Sequence, residues 1–211
     1  MSKQTAAQHE DALIGIESAR AYAREAHSPF MRWAYGLIVK GIVRQGLTGR
    51  FLEIGAGPAV LTIMLAQAIP EARITAVDIS PAMIAVAKEY VESEGLTDRI
   101  EFVEGDTTDA GLLDQLGQFD LVYSTFSLHH WDDPENAIKN LLRAVNPGGT
   151  LLIHDLRRVW WLSWIPSDDG FVRSIRAAYS PAELGDLLSG IGIQRYEIKS
   201  GPFYQSAIAR K

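Results

Sequence analysis

The stretch from Phe51 to Val60 constrains the fold more than any other, because its residue types describe a strand, a tight turn and a helix in succession. The run before Gly55 is short and apolar with one acid, which is typical of a buried parallel strand. Gly55 and Gly57 can adopt positive φ and carry no Cβ, so the backbone can turn sharply and a ligand can lie against it. Pro58 is expected at the first position of the following helix. The stretch therefore predicts a nucleotide-binding turn at the carboxyl end of a first strand.

Composition narrows the class of protein. A chain of 211 residues suits one domain with a substantial core. Its net charge of −6 and lack of a long basic run argue against nucleic acid or an anionic membrane as the main partner. The absence of cysteine excludes disulfides, thiolate metal sites and cysteine nucleophiles. The first 25 residues have no apolar signal core, so we expect a soluble cytoplasmic protein.

Two helices are predicted before the first strand, and residues 1–48 are expected to form a helical cap. The first runs from about Gln8 to His27, and the second begins at Ser28-Pro29 with a stripe that includes Trp33 and Leu37. Core packing is the favoured role of Tyr22 and Trp33. Tyr22 is kept as a candidate substrate contact.

The remaining pattern alternates strands with helices. Further strands are predicted at Ala72–Asp78, Ile100–Glu104, Phe119–Ser124 and Thr150–Asp155, and a closing hairpin at 195–210. Such alternation predicts an α/β fold, a doubly wound and mostly parallel sheet of seven strands with helices on both faces. Residues 49–155 would form the ligand-binding core of a single domain spanning 1–211.

The glycine turn resembles the first motif of the class I S-adenosylmethionine-dependent methyltransferases. A dinucleotide fingerprint needs a third glycine where this chain has Val60, whereas the acid-x-Gly-x-Gly of Glu53 to Gly57 matches the methyltransferase pattern. Ala59 departs from that pattern, which often has glycine there. The resemblance covers about half the chain, from Phe51 to Asp155. It is most specific between Phe119 and Ile153, where it looks like the branch that acts on small molecules.

The resemblance implies a binding site for S-adenosylmethionine. Asp78 lies 23 residues after Gly55 at a strand end, close to the spacing of an acid that binds ribose hydroxyls. By resemblance, Ile79 and Met83 flank the adenine, and Asp106 accepts a hydrogen bond from its amino group. The full set of expected cofactor residues is Glu53, Gly55, Ala56, Gly57, Asp78, Ile79, Met83, Gly105, Asp106, Thr107, Ser124 and His129. An antiparallel last strand is a further trait of this family.

The expected chemistry is methyl transfer by in-line displacement to a small-molecule acceptor, for which alignment matters most. A protic acceptor would also need a base, and the histidine candidates are His129, His130 and His154, with Asp155 as a possible partner. We name His130 and His154 as the catalytic candidates. A metal site is disfavoured, because adjacent strand residues such as His154 and Asp155 point to opposite faces.

Residues 156–179 have no counterpart in the core pattern and hold three tryptophans among four arginines, Arg157, Arg158, Arg173 and Arg176. This insertion would follow the fifth strand, above the edge where ligands bind in such sheets. It is either an aromatic lid over the substrate, with Trp160, Trp164 and Arg157 as contacts, or packing against the N-terminal helices. Residues 180–211 would form the last helix, begun by a Ser180 capping box, and the hairpin.

Two other functions remain open at this point. One is a nicotinamide-dependent oxidoreductase, which Val60 and the hairpin ending disfavour. The other is a catalytically silent binding protein on the same scaffold, against which the glycines and both ligand acids argue.

Overall fold

The computed structural model describes residues 15–106, 109–164 and 170–211. The helices are α1 (Ile16–Ala26), α2 (Pro29–Val43), α3 (Val60–Ala68), α4 (Pro81–Ser93), α5 (Ala110–Leu116), α6 (Pro134–Ala144), α7 (Gly170–Ala177) and α8 (Pro181–Gly190). The strands are β1 (Arg50–Ile54), β2 (Arg73–Asp78), β3 (Ile100–Glu104), β4 (Phe119–Thr125), β5 (Val145–Leu156), β6 (Tyr196–Ser200) and β7 (Tyr204–Arg210). Short 3₁₀ turns lie at Leu128–His130 and Trp160–Trp164. The part of the first predicted helix from Gln8 to residue 14 lies outside the described residues.

The strands form one sheet in the order β3-β2-β1-β4-β5-β7-β6. The pairs among β1 to β5 are parallel, whereas β7 runs antiparallel to both β5 and β6. The direction of winding reverses between β1 and β4, which is where open α/β sheets bind ligands. The predicted doubly wound, mostly parallel seven-stranded sheet with an antiparallel last strand is confirmed.

The sheet separates two apolar cores because successive strand residues point to opposite faces. On β1, Phe51 packs with helices α2, α3 and α4, whereas Leu52 packs with α5, α6 and α8. On β4, Leu121 and Val122 divide in the same way. Helices therefore cover both faces of the sheet, and the turn after β1 lies between the two packed layers.

Local sequence signals set several helix starts, including the predicted one at Ser180. Ser80 caps α4 by accepting a hydrogen bond from the Met83 N–H, and Asp133 caps α6 through the Asn136 N–H. Ser180 and Glu183 form the reciprocal capping box of α8.

Three expectations about local structure were wrong. Pro58 is not the first residue of α3, which begins at Val60 after Ala59 adopts a left-handed φ of 61°. Strand β5 begins at Val145 rather than Thr150, because Val145 pairs with Phe119 and the Gly148 N–H donates to Lys211 at 2.8 Å.

The third error concerns which face of α2 is buried. Trp33 and Leu37 are 65% and 47% exposed, whereas Val39 and Ile42 carry the contact with the core. Helix α2 has two apolar faces, and only one of them packs on the sheet. Tyr22, on α1, is likewise 54% exposed rather than part of the core.

Candidate functional site

A cavity of about 2300 Å³ opens at the carboxyl ends of β1, β2 and β4, under helices α1 and α2. We call it the main cavity. Its lining includes Gly55, Gly57, Asp78, Ile79, Ser80, Met83, Gly105, Asp106, Ser127, His129, His130 and Trp131. Elements distant in the chain meet here because the winding reverses between β1 and β4.

The turn after β1 is held open toward this cavity by backbone contacts. The N–H groups of Gly55 and Ala56 both donate to the Val77 carbonyl, at 2.9 and 3.2 Å. Gly55 and Gly57 have φ of 69° and 51°, a region that L side chains rarely adopt. A Cβ on Gly55 would lie 2.8 Å from the Ser127 side chain, whereas one on Gly57 would meet nothing within 4 Å. Gly55 therefore serves packing, and Gly57 leaves open space above the main chain.

The acid at the end of β2 is tied to that turn. One Asp78 carboxylate oxygen accepts from the Gly57 N–H at 2.7 Å, and the other from the Ser80 N–H at 2.9 Å. Two backbone donors fix the carboxylate against the cavity wall. Ile79, 37% exposed, and the buried Met83 line the cavity directly beyond it.

Glu53 does not lie on the main cavity, contrary to the expectation that it contacts the ligand. Its carboxylate is buried and accepts hydrogen bonds from the hydroxyls of Thr62, at 2.5 Å, and Tyr123, at 2.8 Å. Burial raises the pKa of Glu53 to about 7, although both hydroxyls oppose this and the nearby Asp78 charge adds to it. Glu53 therefore joins β1, α3 and β4 from beneath the turn.

Of the remaining residues that were expected to contact the ligand, some line the main cavity and others do not. Gly105 and Asp106 line the cavity, and Gly105 donates its N–H to the Asp78 carbonyl at 3.0 Å. Ala56 and Ser124 are buried and outside the lining, and the Ser124 hydroxyl lies 3.1 Å from that of Ser127. Thr107 lies outside the described residues.

The three histidines differ in surroundings. His129 is buried, and its backbone N–H and ring Nδ1 lie 2.9 and 2.8 Å from the two carboxylate oxygens of Asp155. The ring of His130 lies against that of His129, with centroids 4.1 Å apart. Asp155 thus partners His129 and not His154, because neighbouring residues of β5 point to opposite faces.

His154 lies on the cavity side of β5. Its Nδ1 is 2.7 Å from the Ser206 hydroxyl, and its ring packs edge-on against Phe126 and beside Tyr204. Burial lowers the pKa of His154 to about 4, opposed only by the nearby Asp155 charge. His154 is therefore neutral at neutral pH and a weak proton acceptor there.

The insertion lines the main cavity with residues of α7, such as Phe171, and not with the two tryptophans and Arg157 that were expected there. Trp160, Trp164 and Arg157 line a separate depression of about 640 Å³ beside Ser180 and Pro181. The Arg157 guanidinium donates to the Gly201 carbonyl at 2.9 Å, which ties the insertion to the closing hairpin. This position gives the expected substrate roles of these three residues no support, because they lie outside the lining where the glycine turn meets Asp78.

Aromatic residues that the sequence did not single out line the main cavity instead. These are Phe30, Phe126, Phe171, Phe203 and Tyr204. The candidate substrate contact Tyr22 lines the cavity as well, as does the exposed Trp33. Phe126 has a left-handed φ of 54°, a strained conformation for a large side chain. Its N–H donates to the His154 carbonyl at 2.8 Å, and its ring packs against Tyr35. No sequence signal marks such a residue, whereas the spacing of Phe30, Trp33 and Leu37 on α2 could have indicated a second apolar face.

No group of three or more metal-ligating side chains occurs among residues 15–106, 109–164 and 170–211. Of the helices in these same ranges, none has the length and apolarity needed to cross a membrane.

Comparison with known sequences identifies the central segment. Residues 52–153 match a family model described as a methyltransferase domain. The demethylmenaquinone methyltransferase of Thermus thermophilus is 30% identical over 151 residues, covering 70% of this chain and 63% of that protein. The malonyl-[acyl-carrier protein] O-methyltransferase of Priestia megaterium is 36% identical over 101 residues, covering 48% of this chain and 34% of that protein. The matches thus span about a third to somewhat under two thirds of these relatives.

Solved structures share the fold. A SAM-dependent methyltransferase from Aquifex aeolicus superposes with a TM-score of 0.69 at 18% identity, covering 90% of this chain and 97% of that one. The plantazolicin methyltransferase BpumL, in complex with SAH, has a TM-score of 0.71 at 16% identity, covering 99% and 98% of the two chains. These structures show that the fold is shared. The match of residues 52–153, together with the sequence relatives, shows that the chain carries a class I S-adenosylmethionine-dependent methyltransferase domain.

Proposed function

We propose that this chain binds S-adenosylmethionine in the main cavity and transfers its methyl group to a small-molecule acceptor. The observation that carries the proposal is the junction of Gly57 and Asp78. An open Cα position and a fixed carboxylate stand side by side at the switch point of the sheet. A nucleoside needs this combination, since its ribose hydroxyls donate to a carboxylate while the rest of the molecule lies on bare backbone.

The lining residues divide the binding task. Asp78 accepts from the ribose hydroxyls, Ile79 and Met83 enclose the adenine, and Asp106 with Gly105 lies at the far end of the ring. Glu53 supports the turn from below through Thr62 and Tyr123 instead of touching the donor. Gly57 supplies the surface on which the donor lies.

The chemistry requires alignment more than activation. When bound, the donor supplies a methyl group on a sulfonium, which is already a good leaving group. The chain must hold the acceptor in line and keep water out, and alignment of this kind contributes roughly 7–11 kcal/mol. Tyr22 on α1 and Trp33 on α2 line the cavity, in a position to cover the reacting atoms.

Where the acceptor is an O–H or N–H group, His129 is the favoured proton acceptor among the three histidines. Asp155 holds Nδ1 as the protonated nitrogen, so Nε2 carries the lone pair, and His129 lines the cavity. Asp155 would also stabilise the imidazolium that forms. The low pKa of His154 makes it a poor base at neutral pH, which replaces the expectation that it is catalytic. His130, packed on the His129 ring, has a supporting position.

The names of the relatives support methyl transfer and differ in the acceptor. They include a demethylmenaquinone methyltransferase and an erythromycin 3''-O-methyltransferase, which is 28% identical over 145 residues and comes from Saccharopolyspora erythraea. A small molecule fits the recessed main cavity, whose reacting end lies beneath helices α1 and α2.

Methyl transfer from radiolabelled S-adenosylmethionine into a fractionated cell extract tests the activity. The proposal expects label in a low-molecular-mass fraction with wild-type protein and none with Asp78→Ala. Melting curves with S-adenosylhomocysteine and with NADH test the cofactor. A rise of several degrees with the first compound alone supports the proposal, whereas a rise with NADH alone would favour an oxidoreductase and contradict it.

A further inference from the structure

The main cavity continues well beyond the residues assigned to the methyl donor. Its volume of about 2300 Å³ exceeds the roughly 300–1,000 Å³ of an ordinary small-molecule site. We call the part of the cavity that is lined by helices α2 and α7 the acceptor half. Six lining residues define its apolar and charged character: Phe30, Trp33, Leu37, Phe171, Arg173 and Arg176.

One wall of the acceptor half is an apolar stripe on α2. Phe30, Trp33 and Leu37 are spaced three and four residues apart, so they share one helix face. They are 71%, 65% and 47% exposed, and the rings of Phe30 and Trp33 stack at 6.2 Å. A contiguous exposed apolar surface of this kind typically marks a binding groove. Phe171 on α7, 56% exposed, lines the same space.

Charge is distributed unevenly along the cavity. Among the described residues of the lining, the acids are Asp78, Asp106 and Glu25, which come from β2, the loop after β3, and α1, and the cations are Arg44, Arg173, Arg176 and Lys199. The acceptor half instead holds Arg173 and Arg176, which are one turn apart on α7. Arg176 donates to the Leu162 carbonyl at 3.2 Å, and Arg173 is exposed. In a chain of net charge −6, a cationic wall beside an apolar stripe is complementary to an anionic apolar ligand.

We propose that the methyl acceptor has an aromatic or aliphatic body and an anionic group. The body lies on the α2 stripe and Phe171, and the anionic group pairs with Arg173 and Arg176. This inference rests on the proposed function, because the acceptor must lie next to the donor, and the acceptor half is continuous with the donor site. Trp160 and Trp164, on the separate depression, take no part.

Two fluorescent probes that share one ring system separate the apolar and anionic contributions. The first, 8-anilinonaphthalene-1-sulfonate, carries a sulfonate, and the second, N-phenyl-1-naphthylamine, is its neutral counterpart. Both are titrated into protein saturated with S-adenosylhomocysteine. We expect saturable binding of one molecule per chain, with the anionic probe binding about tenfold more tightly and losing that advantage in high salt.

Three variants assign the contributions to residues. Trp33→Ala should weaken both probes about tenfold, and Arg173→Gln should weaken only the anionic probe, by about fivefold. Trp160→Ala is the matched control, because this tryptophan is 78% exposed but outside the main cavity, and it should change neither affinity. Melting temperatures establish that each variant is folded. Arg173→Gln replaces an exposed side chain and so keeps the charge test available if Trp33→Ala is destabilised.

Several results would overturn the inference. These are equal effects of Trp33→Ala and Trp160→Ala, equal effects of Arg173→Gln on the two probes, or no saturable binding of either probe. Calorimetric binding of S-adenosylhomocysteine is measured first, because it distinguishes an error in the acceptor class from an error in the proposed function. If that ligand binds and the probes fail, only the acceptor class is wrong; if that ligand itself fails to bind, the proposed function is wrong.

Discussion

The Gly57 N–H donates to the Asp78 carboxylate at 2.7 Å, so the glycine turn and the acid at the end of β2 form one unit. The second carboxylate oxygen accepts a hydrogen bond from the backbone N–H of Ser80, and Ser80 is the residue that caps α4. Asp78 therefore stabilises the turn, and under the proposed function it also presents acceptors to the ribose. Its replacement should affect both binding and folding.

Asp78→Asn should lower the affinity for S-adenosylhomocysteine by roughly 10–100-fold. A hydrogen bond to a charged group contributes about 1.5–3 kcal/mol, and the amide both removes the charge and turns an N–H₂ toward existing donors. Calorimetric titration measures the change. Asp186→Asn, an exposed acid on α8, is the control and should bind like wild type. Equal affinity of Asp78→Asn and wild type would contradict the role of Asp78.

Gly55→Ala and Gly57→Ala should separate stability from binding. Both variants force an L side chain to positive φ, at a cost of about 1–2 kcal/mol. Only at Gly55 does the new Cβ meet a neighbour, 2.8 Å from Ser127, so we expect a loss of about 2–4 kcal/mol in the free energy of unfolding. Gly57→Ala should lose about 1 kcal/mol in urea unfolding but most of its affinity for S-adenosylhomocysteine. The reverse ranking of the two variants in stability would be inconsistent with this geometry.

Glu53 should make stability depend on pH. Its folded pKa of about 7 lies above the ordinary value of 4.5, so its contribution is fully present below pH 4.5. That contribution is lost as the pH rises through 7, by a total of roughly 3 kcal/mol. Urea unfolding of wild type and Glu53→Gln between pH 4.5 and 8.5 isolates the effect, because other groups cancel. The advantage of wild type over the variant should shrink with rising pH, and a constant difference would refute the raised pKa.

Asp155→Ala should destabilise the fold by about 3 kcal/mol. The carboxylate accepts from the His129 N–H and lies 2.8 Å from its Nδ1, and it also accepts from its neighbour Leu156, so its loss leaves buried donors unpaired. Asp155→Asn keeps one acceptor and should lose less. Ser206→Ala, which removes the hydroxyl beside His154, should cost only about 1 kcal/mol. Equal losses for Asp155→Ala and Ser206→Ala in urea unfolding would show that Asp155 does not hold His129.

The sheet and most helix boundaries could be predicted because their signals are local. Proline, serine and aspartate at helix starts, as at Ser80 and Ser180, fix boundaries through contacts with residues three positions away. The glycine turn could also be predicted from its local sequence, although the helix that follows it begins two residues after Pro58. Ala59 adopts a left-handed φ that usually requires glycine, and an alanine in the sequence does not indicate this conformation.

Contacts between residues that are distant in the sequence were harder to predict. Asp155 was expected as a possible partner of the three histidine candidates and on the strand face opposite His154. The sequence did not indicate which histidine it would meet, and the structure pairs it with His129, 26 positions away. Trp160 and Trp164 were expected either in a lid or packed against the N-terminal helices. Their segment instead lines the separate depression and is tied to the closing hairpin by the Arg157–Gly201 hydrogen bond. Periodicity finds an apolar face but does not say whether a sheet or a cavity lies opposite it, and Trp33 was misjudged for that reason.

The most direct measurement is a calorimetric titration of S-adenosylhomocysteine into the wild-type protein and Gly57→Ala in parallel. The account predicts one site per chain in wild type and affinity reduced by at least tenfold in a variant that still unfolds cooperatively. No heat of binding to folded wild-type protein, or equal affinity in both proteins, would contradict the claim that bare backbone at position 57 forms the methyl-donor site.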